Sequence, residues 1–166
     1  MAIKVMVGVV VLLAGLVVAS LLSHKSVHTE LVVDAAPEAL WAVLVDAERY
    51  PAWNPVLVEA TAGTLEVGQE MVYQLREPSG RQYELKAKVR RVEPNRELNQ
   101  TEGIPGVLTF DHQYLFEAVE GGTKVTQHEE YRGIGVWFWD ESWVEPAYAS
   151  VNVALAEGVT QLSGTP

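Results

Sequence analysis

His112, Tyr114, Glu129 and Tyr131 are the side chains best suited to holding a polar group or moving a proton. They fall at alternate positions of two stretches within Leu108 to Arg132, joined by Glu120-Gly121-Gly122-Thr123. Two adjacent glycines permit the positive φ angles of a tight two-residue hairpin, and such a hairpin fixes the register of its strands. With Gly121 and Gly122 as the turn, Phe116 faces Gln127, Tyr114 faces Glu129 and His112 faces Tyr131 on one side of the sheet. Asp111 then opposes Arg132, and Gln113 opposes Glu130, on the other. Phe110, His112, Tyr114 and Phe116 share a face, which is therefore assigned to the interior. A carboxylate turned inward must find donors or take up a proton. Beside a histidine and two phenols it can orient the polar end of a hydrophobic ligand. It can equally serve in acid/base chemistry, with Glu129 or His112 transferring the proton and Tyr114 or Tyr131 positioning a carbonyl or enolate. A polar cluster that only fixes the sheet is the third alternative.

Other chemistries lack their residues. The chain has no cysteine, which removes disulfides, thiolate metal sites and a cysteine nucleophile. It has no His-Glu-x-x-His zinc motif, no Gly-x-Ser-x-Gly elbow, no phosphate-binding glycine loop and no dinucleotide fingerprint. In the register above His128 pairs with Leu115 and points away from His112, so the two are not expected to share a metal. His24 and His28 are expected in solvent, and neither cofactor nor metal is expected. All 22 acidic residues but only 10 of the 12 basic ones follow Lys25, so the remainder of the chain carries a formal charge near −12. A field of that sign repels phosphate backbones and argues against a nucleic-acid partner; solubility alone also accounts for it.

The elements that must position the hairpin begin with Val33 to Pro55. Pro37 suits the first position of a helix, where its missing N–H costs nothing, and Glu38 favours the positive end of the dipole. Leu40, Trp41 and Leu44 recur at helical spacing. Asp46 is placed to cap a short second turn that Pro51 stops, leaving Trp53 on a rigid, non-repetitive connection before Asn54-Pro55.

Pro37-Glu-x-x-Trp41 followed by Tyr50-Pro-x-Trp-Asn-Pro55 resembles the START-like, polyketide cyclase/dehydrase (SRPBCC) superfamily. Leu65-Glu-Val-Gly68, Val92-Glu-Pro94 with Arg96-Glu-Leu98, and Gly122-Thr123 leading to Glu129-Glu-Tyr-Arg-Gly133 follow in the family's order. The resemblance covers about residues 28–160. It implies an α+β helix-grip fold: a curved antiparallel sheet wrapped around a long C-terminal helix, with a cavity between them. Glu129 also falls where the family usually carries a glutamate. Function within the family is diverse, so the fold alone assigns no chemistry.

Ahead of this domain, Val5 to Leu22 is an uncharged run of 18 residues, about 27 Å as a helix and enough to cross the hydrocarbon layer. It is read as a membrane anchor; a cleaved signal peptide is the alternative, since Val17-Val-Ala19 has small-residue character. Lys4 and Lys25 nearly balance the flanking charge, and the short head favours an extracytoplasmic domain. The chain thus divides into 1–25, anchor or signal peptide, and 26–166, the START-like domain.

Residues 23–27 read as a short polar connection, His28 to Val33 as a first strand and Val56 to Thr61 as another, with Gly63 and Gly68 bracketing a turn. Glu70 to Glu77 and Arg81 to Glu93 pair around Pro78-Ser-Gly80. In the second of these, Tyr83, Leu85, Ala87 and Val89 face inward. Leu98 to Gly103 is a further strand. Trp137, Phe138, Trp139 and Trp143 form an aromatic cluster that the family pattern lacks, either a rim dipping toward a membrane or packing at a cavity mouth. The last helix carries Val144, Ala147, Val151, Leu155, Val159 and Leu162 on one stripe, starts near Pro146 and ends at Gly164. Its small residues (Ala147, Ala149, Ser150, Ala154, Ala156, Gly158) either leave room for a ligand or serve close packing.

The preferred reading is a membrane-tethered domain that binds a hydrophobic small molecule or lipid, with transport or sequestration as the expected use. Trp53, Tyr83, Phe110, His112, Tyr114, Glu129 and Tyr131 are the expected lining. The alternatives are a cofactor-free cyclase/dehydratase-type enzyme and a ligand-free interaction module whose interior is filled.

Overall fold

Strands β6 (Leu108–Val119) and β7 (Gly122–Arg132) are the longest pairing of the molecule, and the rest of the sheet extends from them. The computed structural model describes residues 2–60 and 65–163, with side chains placed for 3–60 and 65–160. The remaining strands are β1 (His24–Val33), β2 (Leu57–Ala60), β3 (Glu70–Arg76), β4 (Gln82–Glu93) and β5 (Glu97–Ile104). All pair antiparallel in the order β1-β7-β6-β5-β4-β3-β2. The helices are α1 (Ala2–Leu22), α2 (Pro37–Val45), α3 (Tyr50–Trp53) and α4 (Val144–Ser163). The sheet curls around α4, which packs on β1, β7, α2 and α3, giving the helix-grip arrangement. The expected turn glycine Gly63, helix end Gly164 and stripe residue Leu162 lie outside the residues whose side chains are described.

One strand edge and one register differ from their expected places. The polar stretch 23–27 is not a linker: β1 starts at His24, directly after α1, because β7 is long enough to pair it from Arg132 onward. The β6–β7 register is displaced by two residues. Val119 pairs with Gly122, so Glu120-Gly121 is the turn, His112 faces Glu129 rather than Tyr131, and Tyr114 faces Gln127 rather than Glu129. On the outer face Asp111 opposes Glu130 and Gln113 opposes His128. The cause is β1. A Cβ on Gly122 (φ +132°) would stand 2.0 Å from the Val33 carbonyl oxygen, so this glycine serves close approach of a neighbouring strand and only Gly121 (φ +90°) serves the turn. A displacement of two, unlike one of a single residue, keeps every side chain on its face.

Helix α2 buries Leu40, Trp41, Val43 and Leu44 in the main core. Asp46 provides no side-chain cap; it pairs instead with Arg49 at 3.3 Å. Pro51 does not stop the chain but occupies the first turn of α3, where its missing N–H is harmless. Trp53 therefore ends a one-turn helix, its ring edge-on to Tyr50 with centres 5.3 Å apart. The break comes at Asn54, whose Oδ1 accepts from the Val56 and Leu57 amides. On α4 the stripe Val144, Ala147, Val151 and Leu155 is buried, whereas Ala149 and Ser150 face solvent. Gly158 serves close packing, since a Cβ there would meet Val43 at 3.0 Å.

The two glycines make different demands, and substitution separates them. Gly122→Ala should destabilise by about 3 kcal/mol because neither strand can yield. Gly121→Ala, with open space around it, should cost about 1 kcal/mol. Urea unfolding showing equal losses would restore the two-glycine turn.

Candidate functional site

Alternation sends a row of polar groups toward α4. Gln100 of β5, His112 of β6 and Glu129 of β7 are successive cross-strand partners, and Leu98, Tyr114 and Gln127 form the neighbouring row. Between this wall and the helix lies a cavity of about 620 Å³, within the range of small-molecule sites. Its inner surface comes from Tyr73, Leu85, Ala87, Phe110 and Tyr114 on the sheet and from Val144, Tyr148 and Val151 on α4. Arg81, Glu84 and Lys86 on β4 and its preceding turn also border it.

Gln127 ties the two walls together. Fully buried, its Nε2 donates to the Tyr148 carbonyl at 3.0 Å and to Asn152 Oδ1 at 2.7 Å, while its Oε1 meets His112 Nε2 at 3.2 Å. Asn152 in turn donates to Thr29 Oγ1 at 3.2 Å. Every link satisfies a buried polar atom, and removing one partner would leave another unpaired. On the far side Gln100 Nε2 donates to the Tyr73 hydroxyl at 2.8 Å.

Glu129 is 7% exposed and accepts from the Tyr131 hydroxyl at 2.6 Å. Burial raises its pKa, the Tyr131 and Tyr148 phenols offset this in part, and Asp111 adds to the rise. Burial, followed by the Glu129 charge, pushes Glu102 up to about 8. Burial also drives His112 down to about 4, against the Gln127 hydrogen bond, so the imidazole is neutral at physiological pH. The wall therefore offers neutral hydrogen-bonding groups and two carboxyls whose protonated form burial favours, suited to a ligand's hydroxyl or carbonyl oxygen.

Tyr83, Phe110, His112, Tyr114 and Glu129, expected at the site, border the cavity. Tyr131 and Trp53 do not: Tyr131 stands behind Glu129 as its donor, and Trp53 packs toward the main core. Gln127, Glu102, Gln100, Tyr148 and Asn152 were not anticipated. Parity from Leu98 places Gln100 and Glu102 on the inner face, and four-residue spacing from Val144 through Tyr148 to Asn152 marks the α4 pair. His128 faces outward, its ring centre 6.0 Å from that of His28. Of the aromatic cluster, Trp139 and Trp143 border the cavity, whereas Trp137 and Phe138 are exposed.

A family model described as polyketide cyclase/dehydrase and lipid transport matches residues 24–160. Among solved structures, a Rhodobacter sphaeroides protein is similar at 20% identity, with 84% of this chain and 99% of that one covered and a TM-score of 0.68. Ara h 8.0201 is similar at 16% identity, with 84% and 99% covered and a TM-score of 0.66. The di-domain ARO/CYC BexL from the BE-7585A biosynthetic pathway is similar at 14% identity, with 86% and 51% covered and a TM-score of 0.64. These likenesses establish the fold. No curated protein matches the sequence.

The shifted groups act oppositely on stability. Because Glu102 and Glu129 bind protons more tightly when folded, the stability they favour is complete below 4.5 and lost as pH rises, for Glu102 through about 8. His112 has a depressed pKa, so its contribution is lost as pH falls from 6.5 through about 4. Thermal unfolding followed from pH 5 to 9 should decline less steeply in Glu102→Gln than in the wild type; identical slopes would show Glu102 to be solvated.

Proposed function

The chain belongs to the polyketide cyclase/dehydrase and lipid transport family, and from that premise we propose that it binds a hydrophobic small molecule or lipid between the sheet and α4. The polar end of the ligand meets Glu129, His112 and Glu102, while Tyr83, Phe110, Tyr114, Val144 and Val151 enclose its apolar body. The observation that carries this reading is the unfilled volume of about 620 Å³ beside a buried carboxyl. A ligand-free module would have its interior filled with side chains, and the volume argues against it.

Helix α1 is the proposed tether. Its segment Ile3–Leu22 has a mean hydropathy of 2.9 with none of its residues fully buried, and it is long enough to cross a bilayer. Its last turn runs through Ser23 into β1, so a retained anchor would hold the sheet edge close to the bilayer.

A second reading is favoured by one observation. A carboxyl whose pKa burial raises, with the phenols of Tyr131 and Tyr148 directed at it, has the form of a general acid. In a cyclase- or dehydratase-type reaction Glu129 would give a proton to a carbonyl oxygen or leaving hydroxyl, with no cofactor.

Photolabelling the full chain in phosphatidylcholine vesicles with a diazirine-bearing long-chain alcohol tests both. Label should fall on peptides of β4, β6 and α4 and be lost in Ala87→Trp, which fills the cavity. Glu129→Gln should weaken the alcohol's binding by no more than about tenfold, one hydrogen bond's worth. Under the enzyme reading the same variant abolishes turnover of a polyketide substrate. Labelling that is insensitive to Ala87→Trp would place the ligand elsewhere.

A further inference from the structure

The end of the sheet where α1 enters carries apolar side chains that the domain does not cover. Ile104 at the end of β5 and Val107 of the β5–β6 turn are 65% and 53% exposed, and Trp137 and Phe138 are 61% and 85% exposed. These two segments form one rigid unit. Gly135 N–H donates to the Val107 carbonyl at 2.7 Å, and a Cβ on Gly133 or Gly135 would stand 2.5 or 3.0 Å from that oxygen. The unit is fastened to α1: Ser20 Oγ donates to the Gly106 carbonyl, Gly133 N–H donates to the Ser23 carbonyl at 3.1 Å, and the 3₁₀ helix Ile134–Trp137 packs on α1.

We propose that Ile104, Val107, Trp137 and Phe138 are a seat that enters the interface of a zwitterionic lipid bilayer, holding the cavity rim at Gly103 and Trp139 against the membrane. The inference rests on α1 being a membrane anchor and adds which face of the domain lies down. Ser20 is two residues before the end of α1, about 3 Å along its axis. A loop bonded there cannot stand away from the hydrocarbon edge that Leu21 and Leu22, themselves 74% and 73% exposed, must reach. Tryptophan and phenylalanine are suited to that depth. Attraction to anionic lipid is not the driving force, since the domain is strongly acidic. The rim residues Gly103 and Trp139 adjoin Ile104 and Phe138 in sequence and border the cavity, so an apolar ligand could pass from bilayer to cavity beside the seat.

The absence of cysteine allows single labels. Val107→Cys and Phe138→Cys, with Glu120→Cys at the opposite hairpin as control, are labelled with a nitrobenzoxadiazole fluorophore in the full chain and reconstituted into phosphatidylcholine vesicles. The labels at 107 and 138 should emit to the blue of the control, be quenched at least twofold by brominated lipid, and resist aqueous iodide. Labels at 107 and 138 as open to iodide as that at 120 would overturn the seat. Photolabelling of the cavity in the same vesicles keeps the two proposals apart. Cavity labelling with aqueous probes at 107 and 138 defeats the seat alone, and embedded probes without cavity labelling defeat the ligand reading alone.

Discussion

A single amide, Gln127, sets the spacing between the two walls of this domain. It lies on β7, is fully buried, and bonds at once to His112 on the neighbouring strand and to Tyr148 and Asn152 on α4. An apolar side chain there would let the helix settle as close as packing allows. An amide instead demands partners at hydrogen-bond distance, and leaving any of them unpaired in the interior costs about 1–3 kcal/mol. The helix is thus held by directional contacts at one level while apolar packing of Leu155 and Gly158 against α2 holds it at another. The cavity is the space these two fastenings leave.

Much of the fold was legible because its signals are local. The hydrophobic spacing of Leu40, Trp41 and Leu44, the alternation of Tyr83 to Val89, and the stripe on α4 each follow from the period of the element that carries them. Signals that depend on a distant strand were not legible. Gly122 reads as half of a turn until β1 is seen passing beside it, and His24 to Val27 reads as a linker until β7 is seen to be long enough to pair it. The inner face of the site survived the displaced register only because its parity was preserved. Gln127 was visible as a paired residue, but its role requires knowing that Tyr148 and Asn152 lie above it, which no strand pattern contains.

The chemistry of the site follows from the same enclosure. Glu129 and Glu102 are acids and His112 a base, yet burial moves each toward its neutral form. A wall of neutral donors and acceptors suits an oxygen-bearing amphiphile, and the apolar residues around it suit a long body. A carboxyl whose protonated form burial favours also suits acid catalysis, so the binding and the catalytic readings share this geometry and differ in whether Glu129 gives a proton away.

The most direct test is therefore the protonation state of Glu129. Infrared difference spectra of the full chain, wild type against Glu129→Gln, can be recorded at about pH 6, where an ordinary glutamate of pKa about 4.3 is ionised. A carboxylic-acid carbonyl band that shifts when a long-chain alcohol fills the cavity is the predicted result. Carboxylate bands at that pH, indifferent to the alcohol, would contradict the account.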